Sequence, residues 1–162
     1  MMVGCIGRKE YTNIGGYREG KEVEVRIDER FSKEEEEEIE GVIGEWNYVL
    51  NGRVRYRIIG ERFNMGEREM MAEGIVIMRV EGNEMGEGVM GWEVRKKYIS
   101  IDMRYGRLGG ILKHELGHVL GLGHIEGGIM SKYYTEGCIG EEVKEGLKGL
   151  GNICVISVLR EM

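Results

Sequence analysis

Three histidines in this 162-residue chain stand at a spacing that suits a metal ion. They are His114, His118 and His124, and the sequence has no other histidine. Residues four apart on a helix lie on one face, so His114 and His118 can direct two ring nitrogens at the same ion. Gly121 lacks a Cβ and can take a positive φ, which would end the helix and bring His124 back. We therefore expect a three-histidine metal site.

The chemistry expected of this site is catalytic. Three neutral imidazoles leave one position of a tetrahedral zinc ion open, which is typical of catalytic rather than structural sites. Zinc lowers the pKa of a bound water toward about 7, which makes that water a nucleophile. Glu115 follows the first ligand on the same helical turn, where its carboxylate can take the proton and later donate it to a leaving group. The sequence thus predicts one catalytic zinc ion per chain with Glu115 as general base.

Two other interpretations of the cluster have to be weighed. The histidines could be ordinary residues of an amphipathic helix, but random placement of three histidines would produce this spacing only about once in several thousand trials. Alternatively, the zinc could stabilise a protein-interaction module that has no catalytic activity. Glu115 argues against such a module, because a purely structural site does not require a carboxylate there.

The rest of the chain predicts the elements that must position the cluster. Apolar residues alternate in strand-like runs or recur at helical spacing. The first helix begins with the capping box Ser32-x-x-Glu35 and ends at Asn51-Gly52. The predicted strands cover residues 21–27, 54–58, 74–80 and, as one or two strands, 91–103. The predicted helices cover 32–50, 106–120 and 141–150, and a short terminal strand is predicted at 153–159.

These elements predict an α+β fold in one domain that spans residues 1–162. We expect a twisted mixed sheet, a backing helix, the helix that carries the metal cluster, and a C-terminal helix. Residues 1–20 are expected to form a flexible amino-terminal segment. Residues 88–92 are the predicted sheet edge beside the cleft, where an extended peptide can bind by adding a strand.

The segment around the histidines resembles a known enzyme clan. The motif His114-Glu115-Leu-Gly-His-Val-Leu-Gly-Leu-Gly-His124, with Met130 six residues later, is similar to the signature of the metzincin zinc endopeptidases. Within that clan it most resembles the matrixins, the family of the matrix metalloproteinase catalytic domain. The motif resemblance covers about residues 108–134, and the order of the predicted strands and helices agrees with the same domain.

The resemblance implies a metzincin-like zincin fold and a zinc endopeptidase that acts on peptide or protein substrates. Met130 would form a hydrophobic floor under the imidazoles without binding the ion. By position, Tyr134 would line the pocket for the substrate side chain after the cleaved bond, with Tyr133 as its alternative. Plain packing of both tyrosines is an equally good interpretation. No histidine remains for the second zinc of vertebrate matrixins, and two aspartates, Asp28 and Asp102, make their calcium sites improbable.

Composition argues against several other classes of function. The net charge of −6, with Lys and Arg scattered among Glu, provides no basic face for nucleic acid. No apolar stretch reaches the roughly 20 residues needed to cross a bilayer, so no membrane partner is expected. The start of the chain shows no export signal, and three cysteines fit reduced thiols better than disulfides. We therefore expect a cytoplasmic protein, or one released without a signal peptide.

Overall fold

The computed structural model describes residues 20–60, 74–81, 85, 90–94, 97–133 and 137–151. The elements are β1 (Lys21–Ile27), α1 (Lys33–Leu50), β2 (Val54–Ile58), β3 (Ile75–Val80), β4 (Gly91–Val94), β5 (Tyr98–Asp102), α2 (Leu108–Val119) and α3 (Glu141–Gly151). The predicted α+β class is confirmed. The predicted terminal strand and, apart from Gly20, the amino-terminal segment lie outside the described residues. None of the described helices is long and apolar enough to cross a membrane.

The five strands form one sheet in the order β2-β1-β3-β5-β4. β1 pairs in parallel with β2 and β3, and β3 pairs in parallel with β5. Parallel neighbours need a crossover, which α1 supplies between β1 and β2. β4 runs antiparallel to β5, with Gly91 opposite Ile101 and Glu93 opposite Ile99. The sheet is therefore mixed but mostly parallel, and β4 forms one edge of its described part.

Helix α1 forms where the local sequence favours it. The Ser32 hydroxyl accepts a hydrogen bond from the Glu35 backbone N–H at 3.1 Å, and the Glu35 carboxylate accepts one from the Ser32 N–H at 2.8 Å. Asn51 ends the helix with a left-handed φ of 46°. The indole N–H of Trp46, on the buried face, donates to the Lys113 carbonyl at 3.2 Å. This bond docks α1 against α2, the helix that carries His114 and His118.

Helix α2 begins two residues later than the sequence predicts. A short 3-10 helix at Met103–Tyr105 follows β5, and Gly106 ends it with a left-handed φ of 61°. The regular helix can start only after this turn, at Leu108. Leu112 and Leu116 then bury one face of α2 in the apolar core shared with the sheet, α1 and α3. His114 and His118 lie off this buried face and stay partly accessible.

Both aspartates of the chain lie at the end of a strand, Asp28 just after β1 and Asp102 as the last residue of β5, and each is held by an arginine two residues later. Burial alone would raise the pKa of Asp28, but hydrogen bonds from Arg30 and from the Arg79 backbone hold it below its usual range. At the end of β5, hydrogen bonds from Arg104 lower the pKa of Asp102 against the opposing effect of burial. Asp102 also accepts the Arg104 backbone N–H at 3.0 Å. It therefore supports the turn that leads into α2.

Candidate metal centre

The structure brings together all three histidines that the sequence predicts as ligands. His114 and His118 lie one turn apart on α2, and the following loop returns His124 to the same place. One ligand atom from each residue lies within 4.8 Å of the others. The ring centroids are 4.6 Å apart between His114 and His118, and 5.3 and 5.0 Å from these rings to His124. The three side chains are close enough to hold one metal ion.

A glycine-ended turn sets the position of His124. Gly121 has a φ of +94°, as the sequence predicts for a residue that ends the helix. Its N–H donates to the His118 carbonyl at 2.9 Å, and the Leu122 N–H donates to the Gly117 carbonyl at 3.0 Å. These two bonds form a Schellman motif, which satisfies the last helix carbonyls and requires a left-handed residue after the cap. The chain therefore turns back toward the helix face that carries the first two ligands.

Backbone carbonyls orient two of the rings. His114 Nδ1 lies 2.8 Å from the Ile129 carbonyl oxygen, and His118 Nδ1 lies 2.8 Å from that of Leu122. Because a carbonyl oxygen only accepts hydrogen bonds, each Nδ1 carries the hydrogen and each Nε2 of a neutral ring keeps a lone pair. The two Nε2 atoms lie 2.9 Å apart. Two nitrogen lone pairs at this distance repel each other, and a cation bound by both nitrogens would replace that repulsion with attraction.

This set of donors fits zinc. Zn–N bonds of about 2.05 Å in tetrahedral geometry separate two ligand nitrogens by about 3.3 Å, so the two Nε2 atoms need to move apart only slightly. Zinc-binding histidines usually donate their other ring N–H to a carbonyl or carboxylate, as His114 and His118 do. Burial, and then the neighbouring histidines, lower the pKa of His114. This favours the neutral ring that binds a metal.

The loop between the third histidine and Met130 supports the first ligand. The Ile125 N–H donates to the Met130 carbonyl at 2.8 Å, which closes the loop. The residue before the methionine, Ile129, supplies the carbonyl that accepts from His114. Met130 itself is fully buried. The loop thus orients His114 through its backbone, while its methionine side chain belongs to the core.

Glu115 is a buried carboxyl group beside the ligands. Its side chain lines the same cleft as the histidines, and the residue is only 7% exposed. Burial, and then the negative charge of Glu93, raise the pKa of Glu115 to about 7. A cation held by the adjacent histidines would favour the carboxylate and lower this value. Its carboxylate can accept a proton, and the protonated acid can donate one.

The cluster opens into a cleft of about 450 Å³. Residues 90–93, at and just before β4, line one side, and Ile129, Ser131 and Lys132 from the loop after α2 also line it. The described part of the predicted edge segment, residues 90–92, therefore lies beside the site. Gly88 and Val89 lie outside the described residues. An extended ligand in this cleft would run along the edge of the sheet.

Two close approaches of backbone to side chain depend on glycine. A Cβ on Gly91 would lie 2.4 Å from Ile111 Cγ2 and 2.9 Å from Glu115 Oε1, so β4 passes directly against the candidate general base. A Cβ on Gly117 would lie 2.2 Å from Met130 Sδ, so the methionine packs on the helical turn between the first two ligands. The sequence analysis did not single out Gly91. The chain has 28 glycines, so being a glycine does not by itself distinguish Gly91 from the others.

The predicted pocket tyrosines are not placed in the cleft by the described structure. Tyr134 lies outside the described residues. Tyr133 is 76% exposed and does not belong to the described lining of the cleft. Lys132 and, on β4, Glu93 do line it. Neither was predicted: the proximity of Glu93 to the histidines arises from long-range folding, and Lys132, although only eight residues after His124, belongs to no motif that marks it as a cleft residue.

No protein-family model matches the chain, and no curated protein matches it in sequence. A function for the chain therefore has to be inferred from the geometry and chemistry of the site.

Proposed function

We propose that this protein is a zinc-dependent endopeptidase with His114, His118 and His124 as zinc ligands and Glu115 as general base. The observation that carries this proposal is the convergence of three imidazoles beside a buried carboxyl group in an open cleft. Structural zinc sites are usually closed by four protein ligands. The described residues here supply three ligands and a route for substrate to reach them.

The side chains of the site have separate roles in peptide hydrolysis. Zinc bound there would supply the nucleophile, because it lowers the pKa of water toward about 7. Glu115 accepts the proton of that water at its carboxylate and returns it to the amine that leaves. The carbonyls of Ile129 and Leu122 keep the hydrogen of each ring on Nδ1, so the Nε2 lone pairs of the first two ligands stay available.

The edge strand favours an extended peptide as the substrate. Within the described sheet, β4 pairs with β5 on one side only, and its residues line the cleft. An open strand edge offers backbone N–H and C=O groups to which a peptide can add as a further strand. Gly91 lies against Glu115, so a peptide bound along β4 would pass close to the general base. This supports cleavage within a chain.

We further propose that the fold is metzincin-like and closest to that of the matrixins. The observed succession of strand, helix, four strands, metal helix and last helix follows the order that the resemblance implies. Met130 is buried against Gly117, in the turn between His114 and His118, which supports its role as a hydrophobic floor. The left-handed Gly121 agrees with its position in the motif.

The test is cleavage of casein or a mixed peptide library by the zinc-loaded protein, with fragments identified by mass spectrometry. We expect fragments that disappear with a chelator and return when zinc is added back. Glu115→Ala is the control, because it retains all three ligands. Zinc bound at one ion per chain without any fragments would refute the peptidase and favour the non-catalytic zinc module.

A further inference from the structure

We propose that Glu93 makes this cleft select peptides that carry a lysine or arginine at one fixed position, the residue that pairs with Glu93 on the edge of β4. The inference rests on the proposed peptidase function and adds a substrate class to it.

Alternation along β4 sets the direction of Glu93. Successive side chains of a strand point to opposite faces, so residues 91 and 93 share one face. The Cβ direction of Gly91 leads to Ile111 and Glu115 on α2. Trp92 takes the opposite face and is 56% exposed. Glu93 therefore projects from β4 on the side of α2 and the metal cluster, where it lines the cleft.

Glu93 brings a carboxyl group into the lining of the cleft, on the side of β4 that faces Glu115. The described lining thus includes two carboxyl groups near β4, whereas its lysine, Lys132, lies on the loop after Met130. Directly beside Glu93, a positively charged side chain of a peptide bound on β4 is attracted by the carboxylate, and a negatively charged one is repelled.

A peptide that adds to β4 brings one residue directly opposite Glu93. Directly opposed residues of neighbouring strands share a face, with Cβ atoms about 4.5 to 5.5 Å apart. Opposite charges in such a pair stabilise the pairing and like charges destabilise it by a similar amount. For the two effects together we expect kcat/KM to be about tenfold higher with lysine than with glutamate at that position.

The experiment uses fluorogenic peptides blocked by an acetyl group and an amide, so that no terminus adds charge. Lysine, glutamine or glutamate is placed at each position in turn, and kcat/KM is measured with the zinc-loaded protein. We expect a lysine preference of about tenfold over glutamate at one position. Glu93→Gln should bring the ratio close to one, and Glu93→Lys should reverse it. Glu40→Gln, an equal charge change on the exposed side of α1, should keep the original ratio.

An unchanged ratio in Glu93→Gln, or cleavage without any preference for lysine, would overturn the inference. A preference found only with peptides whose amino terminus is unblocked would overturn it as well, since the cleft would then recognise an α-amino group.

Fluorescence anisotropy of the same peptides on Glu115→Ala protein separates this inference from the proposed peptidase function. A lysine preference in binding that Glu93→Gln abolishes, without cleavage by the wild type, would support the role of Glu93 and refute the peptidase. Neither binding nor cleavage would refute both.

Discussion

The contact between Gly117 and Met130 predicts opposite effects for one substitution at two helical glycines. Gly41 lies on α1, and a Cβ there would meet nothing within 4 Å. Replacing an exposed helical glycine with alanine stabilises a helix by about 1 kcal/mol. A Cβ on Gly117 would instead lie 2.2 Å from Met130 Sδ and 2.8 Å from its Cε. The methionine is fully buried and would have to move.

The magnitude follows from two opposing effects at Gly117. Helix propensity favours alanine by about 1 kcal/mol, while overpacking a buried site costs about 1 to 3 kcal/mol. Because the contact is so short, we take the upper end, which leaves a net loss of about 2 kcal/mol. For a chain of this size the melting temperature should fall by about 4 to 8 °C in Gly117→Ala and rise by about 2 to 4 °C in Gly41→Ala.

A double variant tests whether Met130 is the cause. Met130→Ala alone should destabilise by about 2 to 5 kcal/mol, because it leaves a cavity. In that background the added methyl group of Gly117→Ala has room, so the second substitution should become stabilising, as at Gly41. Unfolding of the zinc-loaded proteins is followed by circular dichroism. If Gly117→Ala stabilised the wild type as much as Gly41→Ala does, the packing of the methionine described above would be refuted.

Three further predictions concern the site and its scaffold. Glu115→Ala should keep one zinc ion per chain but lose at least about 10⁴-fold in the rate of peptide cleavage, whereas His118→Ala should lose both zinc and activity. Elemental analysis and a cleavage assay check both variants. Near-normal hydrolysis by Glu115→Ala would contradict the mechanism. Gly91→Ala should retain zinc but lower kcat/KM by about tenfold or more, because its Cβ would meet Ile111 and Glu115, so that β4 or one of these side chains must move. An unaffected rate would contradict this reasoning. The lowered pKa of Asp102 means that its bond to Arg104 stabilises the folded protein at pH values above the usual aspartate pKa of about 4. This stability is lost as the pH falls through the lower pKa of the folded state. Asp102→Asn should therefore be less stable at pH 7 and show a shallower acid dependence in urea unfolding, and identical pH profiles of the two proteins would contradict this prediction.

Elements with strong local signals were predictable from sequence. The capping box at Ser32 and the left-handed Asn51 bound α1 as expected, because both ends are decided by side chains and dihedral angles within a few residues. The start of α2 was predicted two residues early, since the left-handed Gly106 ends a 3-10 turn that hydrophobic periodicity cannot distinguish from a helix. The α+β class followed from the elements themselves, but the periodicity does not determine the order of strands in the sheet.

The sequence by itself determined the metal cluster. Helical spacing aligns His114 with His118, and Gly121 can end the helix with a positive φ, so these relations are settled within eleven residues. Only the tertiary structure decided that the Ile129 carbonyl orients His114 and that Glu93 on β4 lies near Glu115, the proposed general base. Both depend on segments that are brought together by burial of a shared core, and burial favours apolar residues without specifying which polar side chains become neighbours.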